Sequence, residues 1–244
     1  MHVLGSAGIT GSSIGGAGST ILLTIAANTN NYNIRTQAGS PLGSASVTVV
    51  VNSGIIVSSN GFGAAMTTGT NWGAGSTILI VNHGYIEGFG GAGNGGVGGD
   101  AILITKDISI DNSDGYIRGG GGGGAQGAAA ATNNVSGGGG GGGQGNVGGA
   151  AGPASGGFYP GTAGTAGSRI APGSGGSGGN TLIGRGGSGG GGGGWGQPGE
   201  PCGINSEGVG GFIGGSAGYA VRLSGHLVSW LGGNNLTQVK GKVE

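Results

Sequence analysis

The sequence predicts an all-β and irregular chain with essentially no α-helix, in which repeated short strands are followed by a bundle of polyglycine-II helices. Three observations predict it. Glycine supplies 74 of 244 residues, about four times its usual ~7% share. In the first half, β-branched runs alternate with small polar residues, the pattern of a half-buried sheet. In the second half, glycines recur at every third position, the period of a polyproline-II-like helix. No stretch shows capped 3.6-residue periodicity, and residues 128–131 form a helix-former island too short to nucleate.

The first half repeats itself. An identical heptapeptide, Gly-Ala-Gly-Ser-Thr-Ile-Leu, stands at 16–22 and at 73–79, an offset of 57 residues. A looser unit, an apolar strand followed by an Asn/Asp-Gly turn and a second short strand, centres on Gly54, Gly84 and Gly115. Asn, Asp and Gly are turn formers, because they tolerate left-handed backbone or bond their own main chain. The expected strands are 21–25, 47–51, 78–81, 101–104 and 108–110, with 220–223 and 227–231 near the end. The expected organisation is a strand-repeat base over 1–118, a polyglycine-II bundle with end loops over 119–217, and C-terminal strands over 218–244 packing back on the base.

From 119 to 199 the only charges are Arg169 and Arg185. Glycines at 184, 187, 190, 193, 196 and 199 fall three apart, as do those at 90, 93, 96 and 99. A stripe without Cβ lets neighbouring backbones approach as they do at the collagen axis. Backbone groups unsatisfied within each helix can then pair with adjacent ones. Runs that are glycine on every face, 119–124, 137–143 and 189–194, are expected to be interior. Collagen is excluded, since proline is 6 of 244 where ~15–20% is needed. The glycine-poorer inserts 128–136, 153–172, 180–183 and 195–205 read as loops at the bundle's ends.

Composition removes several function classes. Lys+Arg and Asp+Glu both number 8, giving zero formal net charge, so there is no electrostatic footprint for nucleic acid or anionic lipid. No apolar run is long enough for a membrane span, and no signal peptide is visible at the N-terminus. One cysteine, Cys202, excludes a disulfide framework and a cysteine-based zinc cluster.

The remaining motifs are weak. Residues 88–93 fit G-x-G-x-x-G, but no helix follows to hold a pyrophosphate. Residues 95–103 fit a calcium nonapeptide, but a single copy cannot complete the coordination shell that tandem copies share. Asp111–Gly115 looks faintly like an EF-hand start, yet an Asx turn accounts for it better. His2, His83 and His226 stand alone, without carboxylate or cysteine partners at ligand spacing. With so few titratable side chains, no acid–base constellation is expected. No enzyme, cofactor or metal site is expected.

What remains is a set of rigid, partly amphipathic groups on loops: Phe158, Tyr159, Pro160, Trp195, Gln197 and Pro198. Each one alone reads as a loop closure. Together they resemble the low-entropy aromatic anchors of binding surfaces, and they are the expected receptor-binding residues.

The run 73–79, then Val81-Asn82-His83-Gly84-Tyr85-Ile86-Glu87-Gly88 and a glycine tract, is similar to the receptor-binding tip of bacteriophage tail fibres and related tail host-specificity proteins. So are the turn at 111–115 leading through Tyr116-Ile117-Arg118 into 119–124, and the ending from Gly218-Tyr219-Ala220-Val221 to Trp230. The resemblance implies a non-enzymatic adhesin at the distal end of the virion tail, outside any cell. It would pack polyglycine-II helices in layers and offer loops to a bacterial outer-membrane protein or surface polysaccharide. Other tail fibre or tail tip chains are the implied partners, with homotrimer and single copy both open. The rival readings are an ice-binding protein, which thermal hysteresis would reveal, and a structural glycine-rich matrix protein, which would assemble into fibres.

Overall fold

In a computed structural model that describes residues 18–61 and 63–244, the chain winds as a parallel β-solenoid from which a glycine-rich insert projects. His2 and the first two residues of the first heptapeptide copy lie outside the described residues. The first rung comprises β1 (Ser19–Ile25), β2 (Thr29–Asn30) and β3 (Tyr32–Asn33). The second comprises β4 (Ala45–Val51), β5 (Ile56–Ser58) and β6 (Met66–Thr67). β7 (Thr77–Asn82), β8 (Tyr85–Glu87) and β9 (Ile102–Leu103) form the third. The fourth contains β10 (Ile108–Asp111), β11 (Tyr116–Arg118) and β12 (Val221–Arg222), and β13 (Val228–Gly232) with β14 (Val239–Lys240) closes the stack.

Corresponding strands stack into three sheets, ordered β1-β4-β7-β10-β13, β14-β11-β8-β5-β2 and β12-β9-β6-β3. Every strand pair is parallel. Among the described residues, helix is confined to a single turn, α1 (Ile34–Gln37), capped by the Asn33 side chain on the Thr36 N–H, and a 3-10 turn at Thr132–Asn134. The predicted all-β, irregular class is what the chain adopts. Each strand expected from alternation is present to within two residues at either end.

Alternation has its usual cause: successive side chains point to opposite sheet faces, and one face is turned inward. Register then builds columns. Leu23, Val49, Ile80, Ile110 and Trp230 stack on the first sheet. Val57, Ile86, Ile117 and Val239 stack on the second, and Tyr32, Met66, Ile102 and Val221 on the third. Apart from Trp230 these residues are buried, each contributing roughly 1.5–3 kcal/mol of transfer free energy. The 57-residue heptapeptide offset spans two rungs, since Ile21 and Ile78 both register on Val47.

The Asn/Asp-Gly turns are solenoid corners joining strands of different sheets. At one corner the buried Asn82 amide donates to Asn112 Oδ1 (2.7 Å) and to the Tyr116 carbonyl (3.2 Å), while Asn112 donates to the Gly233 carbonyl (2.9 Å). A Cβ on Gly115 would strike Asn82 of the preceding rung, so corners can stack only if that position lacks a side chain. At 111–115 the Ser113 N–H donates to Asp111 Oδ1 (3.1 Å), the expected Asx turn.

In the third and fourth rungs the chain leaves the solenoid between its second and third strands. Residues 88–100 make one excursion from β8 to β9, and residues 119–220 make several between β11 and β12. Apart from the 3-10 turn at Thr132–Asn134, the excursion runs are neither strand nor helix but hydrogen-bond laterally to a given neighbour at every third residue. Gly121, Gly124 and Gly127 donate to the carbonyls of Gln144, Gly141 and Gly138, antiparallel. Gly138, Gly141 and Gln144 donate to Gly187, Gly190 and Gly193, parallel. Run 137–144 bonds to neighbours in 88–95, 119–127, 149–153, 161–168, 173–179 and 186–194, so it is enclosed all round.

Residues 119–124 and 137–143 are buried throughout. Run 189–194, expected to be interior, is buried at 190, 192 and 193 and half-buried at 189, 191 and 194. A Cβ on Gly142 would collide with the Gly149 carbonyl, and one on Gly189 with the Gly139 carbonyl. Close backbone contact is therefore what reserves these positions for glycine.

Candidate functional site

Two side-chain clusters fix the insert to the solenoid. Glu87, the last residue of β8 before the chain departs, is fully buried and accepts from three donors: Arg118 Nη1 at 3.3 Å, Arg169 Nε at 2.7 Å and Arg169 Nη2 at 3.0 Å. Tyr85 and Tyr116 stack with ring centroids 5.4 Å apart. The Arg118 guanidinium lies 4.3 Å from the Tyr116 ring and 5.7 Å from that of Trp195, and Arg169 lies 4.6 Å from Tyr85. Bonding to Glu87 raises the Arg169 pKa still further. Arg169, one of the two charges between 119 and 199, thus forms part of a clamp on a buried carboxylate.

At the re-entry side, Asp100 takes Arg222 Nε at 2.5 Å, Arg222 Nη2 at 3.0 Å and the Tyr219 N–H at 2.8 Å, with the guanidinium 4.0 Å over the Tyr219 ring. Asp100 is also the carboxylate of the calcium-like nonapeptide, and it is occupied by these donors. Among the described residues no group of three or more His, Cys, Asp or Glu is placed to hold a metal, and none of the helices is long and apolar enough to cross a membrane.

Since the chain enters and leaves the insert at the solenoid, successive loops fall at opposite ends. Loops 145–148, 169–172 and 195–198 lie beside the solenoid. Loops 128–135, 154–160, 180–185 and 205–212 lie at the far end and interlock there. Val135 bridges to Tyr159, and the Phe158 N–H donates to the Asn134 carbonyl at 2.8 Å. Asn133 reaches Thr181 Oγ1 at 3.4 Å. The Asn205 amide donates to the Ala129 carbonyl at 2.9 Å, and the Glu207 carboxylate accepts the Ala131 and Thr132 N–H groups at 3.0 and 2.6 Å. The Thr132 side chain first, then those amides, hold the Glu207 pKa below the usual carboxylate range. Asn133 and Asn134 take left-handed φ of 59° and 49° to turn this tight corner, which asparagine tolerates better than most residues.

The six sequence-predicted site residues divide between the ends. Phe158, Tyr159 and Pro160 stand at the far end, with Phe158 86% exposed and Tyr159 half-exposed. Trp195, Gln197 and Pro198 stand at the near end: the Trp195 N–H bonds Gln144 Oε1, the Gln197 carbonyl accepts from Gly122, and intervening Gly196 donates to Gly119. The structure does not bring the two groups together. Leu182, Ile183, Ile204 and Val209 are exposed at or beside the far-end loops and were not singled out from sequence. Counting excursions outward from Arg118 would have separated the two ends, because alternate loops must point opposite ways.

Comparison with known proteins agrees with this architecture. Residues 20–243 match the family described as phage tail fibre adhesin Gp38. No curated protein sequence matches the chain. A solved structure, the gp37-gp38 adhesin tip complex of the bacteriophage S16 long tail fiber, contains a chain similar to this one with a TM-score of 0.58 at 23% identity, covering 91% of this chain and 82% of that one. At that identity the likeness concerns the fold. The family match spans nearly the whole sequence, and the chain belongs to the Gp38 family of phage tail fibre adhesins.

Proposed function

We propose that this adhesin binds a bacterial surface receptor, an outer-membrane protein or surface polysaccharide, through the far-end loops 128–135, 154–160, 180–185 and 205–212. In this reading the insert runs are polyglycine-II helices forming a stiff mount, and the solenoid is held by other tail fibre chains. The observation that carries it is the division of the loops. Those at the solenoid end are tied to Glu87, Arg118 and Gly119 of the body that holds them, with Ile170 exposed, while those at the far end brace one another and cluster more exposed apolar groups, Phe158, Leu182 and Ile183. The S16 tip, in which a gp38 chain is complexed with gp37, supports a fibre chain as the solenoid's partner.

A braced mount suits adhesion because the loops lose little freedom on contact. At ~3.1 Å per residue, run 119–127 would hold the loops about 25 Å from the solenoid. The three-residue hydrogen-bond period and the glycine positions support the polyglycine-II assignment. The test is competition: purified chain should block phage adsorption to host cells. A Phe158→Ala, Tyr159→Ala, Leu182→Ala variant should lose that block with its fold unchanged, while Trp195→Ala keeps it. Equal blocking by the far-end variant would overturn the assignment.

A further inference from the structure

The insert's second charge, Arg185, is not part of a clamp. It sits in the far-end turn 180–185, on the wall of a groove of about 370 Å³ whose other polar side chains are Ser177, Asn180 and Ser188, with Ile204 as an apolar edge. Backbone pairing fixes the wall: Asn180 bridges to Arg185, the Arg185 N–H donates to Ser206 Oγ at 3.0 Å, and the Ser206 N–H returns to the Arg185 carbonyl at 2.9 Å. Ser177 is held by its N–H on Thr162 Oγ1 at 2.8 Å.

The side-chain groups themselves are unengaged. Among the described residues, no carboxylate lies within 4.0 Å of the Arg185 guanidinium, and the Ser177 and Ser188 hydroxyls and the Asn180 amide make no hydrogen bond within the chain. Glu207, close in sequence to Ser206, spends its carboxylate on the amides of Ala131 and Thr132. Two other grooves differ. In the one beside Phe212, the Asn94 and Gln126 amides are both spent on the Pro153 carbonyl. In the one beside Tyr219, Lys242 is 3.5 Å from Glu244 and Arg222 covers the Tyr219 ring.

A planar cation flanked by two hydroxyls, a carboxamide and an aliphatic edge matches one ligand chemistry. The guanidinium fork reads an oxyanion with two parallel N–H donors. The hydroxyls and amide, which both donate and accept, suit the hydroxyls of a sugar ring. In a chain of zero net charge, this isolated cation is placed for recognition rather than for long-range steering. We propose that this groove binds an acidic saccharide, a sugar bearing phosphate or carboxylate. The inference rests on the far-end loops being the host-facing surface, and it names a glycan subsite within it.

The test titrates the full chain, followed by NMR, with three probes: glucose 6-phosphate, glucuronic acid and glucose. A subsite of this size should take at least one acidic sugar with a Kd of the order of 1 mM, shifting resonances of Ser177, Asn180, Arg185 and Ser188. Glucose should bind at least about tenfold more weakly, and added salt should remove the difference. Arg185→Gln should abolish the preference, while Arg185→Lys, which keeps the charge but not the fork, should retain part of it. Response to the phosphate alone, or to the carboxylate alone, identifies the anionic group. Absence of saturable shifts with both acids, equal binding of glucose, shifts elsewhere, or an unaltered Arg185→Gln variant would each overturn the proposal. Host-cell binding by the parent chain, measured in parallel, separates outcomes: cell binding through the far-end loops without acidic-sugar binding sinks the subsite and leaves the adhesive reading standing.

Discussion

Replacing Glu87 by glutamine probes how the insert is held. The carboxylate has 0% side-chain exposure and lies between guanidinium groups whose side chains are 20% and 36% exposed. The substitution keeps shape and one acceptor but removes the charge, and it turns an N–H₂ group toward donors. Three charge-assisted bonds weaken together. Breaking a buried ion pair costs about 3–5 kcal/mol. Because both arginines keep partial access to water, the lower end applies, and Glu87→Gln should lose about 3 kcal/mol. Arg169→Gln leaves Arg118 to neutralise Glu87 and should lose less, about 1–2 kcal/mol. Urea unfolding gives the stability change, and amide exchange at 169–172 shows whether the near-end loop has come loose. A Glu87→Gln loss below about 1 kcal/mol, with that loop still protected, would refute the clamp.

Further expectations follow from the same geometry. Gly142→Ala places a methyl group against the Gly149 carbonyl and should destabilise by about 3 kcal/mol or more, whereas Gly156→Ala, with open space around it, should be nearly neutral in the same thermal melts. Asn112→Ala strands a buried Asn82 donor and leaves the Gly233 carbonyl unbonded, so chemical denaturation should show a loss of about 2–3 kcal/mol. Burial pushes the Tyr32 phenol up to about 12 from 10.0. The unfolded chain therefore releases that proton first, and stability should be unaffected below pH 10 and fall by about 2 kcal/mol as pH rises from 10 to 12. Phenolate absorbance alongside base-induced unfolding checks it. The Leu227 N–H, with a smaller contribution from His226, holds Asp107 below its ordinary value. Its contribution is present above the unfolded carboxylate pKa and should vanish as pH falls through the lower folded value. Asp107→Asn should flatten that acid limb.

The solenoid's long strands were legible because alternation over five to seven residues leaves a clear mark, as in Ala45–Val51. In the third sheet β9 and β12 were legible within 101–104 and 220–223, but Tyr32–Asn33 and Met66–Thr67 were not, since each is two residues long and carries no period. The 30- and 31-residue glycine spacing marked the rung length, but the Asn-Gly turn does not by itself say whether its flanking strands pair with each other or with the next rung. The ladder from Asn82 to Asn112 decides that in three dimensions. In the insert, threefold glycine spacing revealed lateral contact, while nothing in a featureless run such as 137–143 names its neighbours. Glu87 and Arg169 are 82 residues apart, and no local signal couples them. Phe158 and Trp195 looked equivalent as loop aromatics because composition does not record direction; direction comes from counting excursions away from Arg118.

Amide hydrogen exchange on the chain, free and bound to outer-membrane fragments of a susceptible host, tests the central claim most directly. Interior amides such as Gly121, Gly124, Gly138 and Gly141 should be strongly protected in both states, with added protection on binding confined to 128–135, 154–160, 180–185 and 205–212. Interior glycines that exchange like an open chain, or new protection on the near-end loops instead, would contradict it.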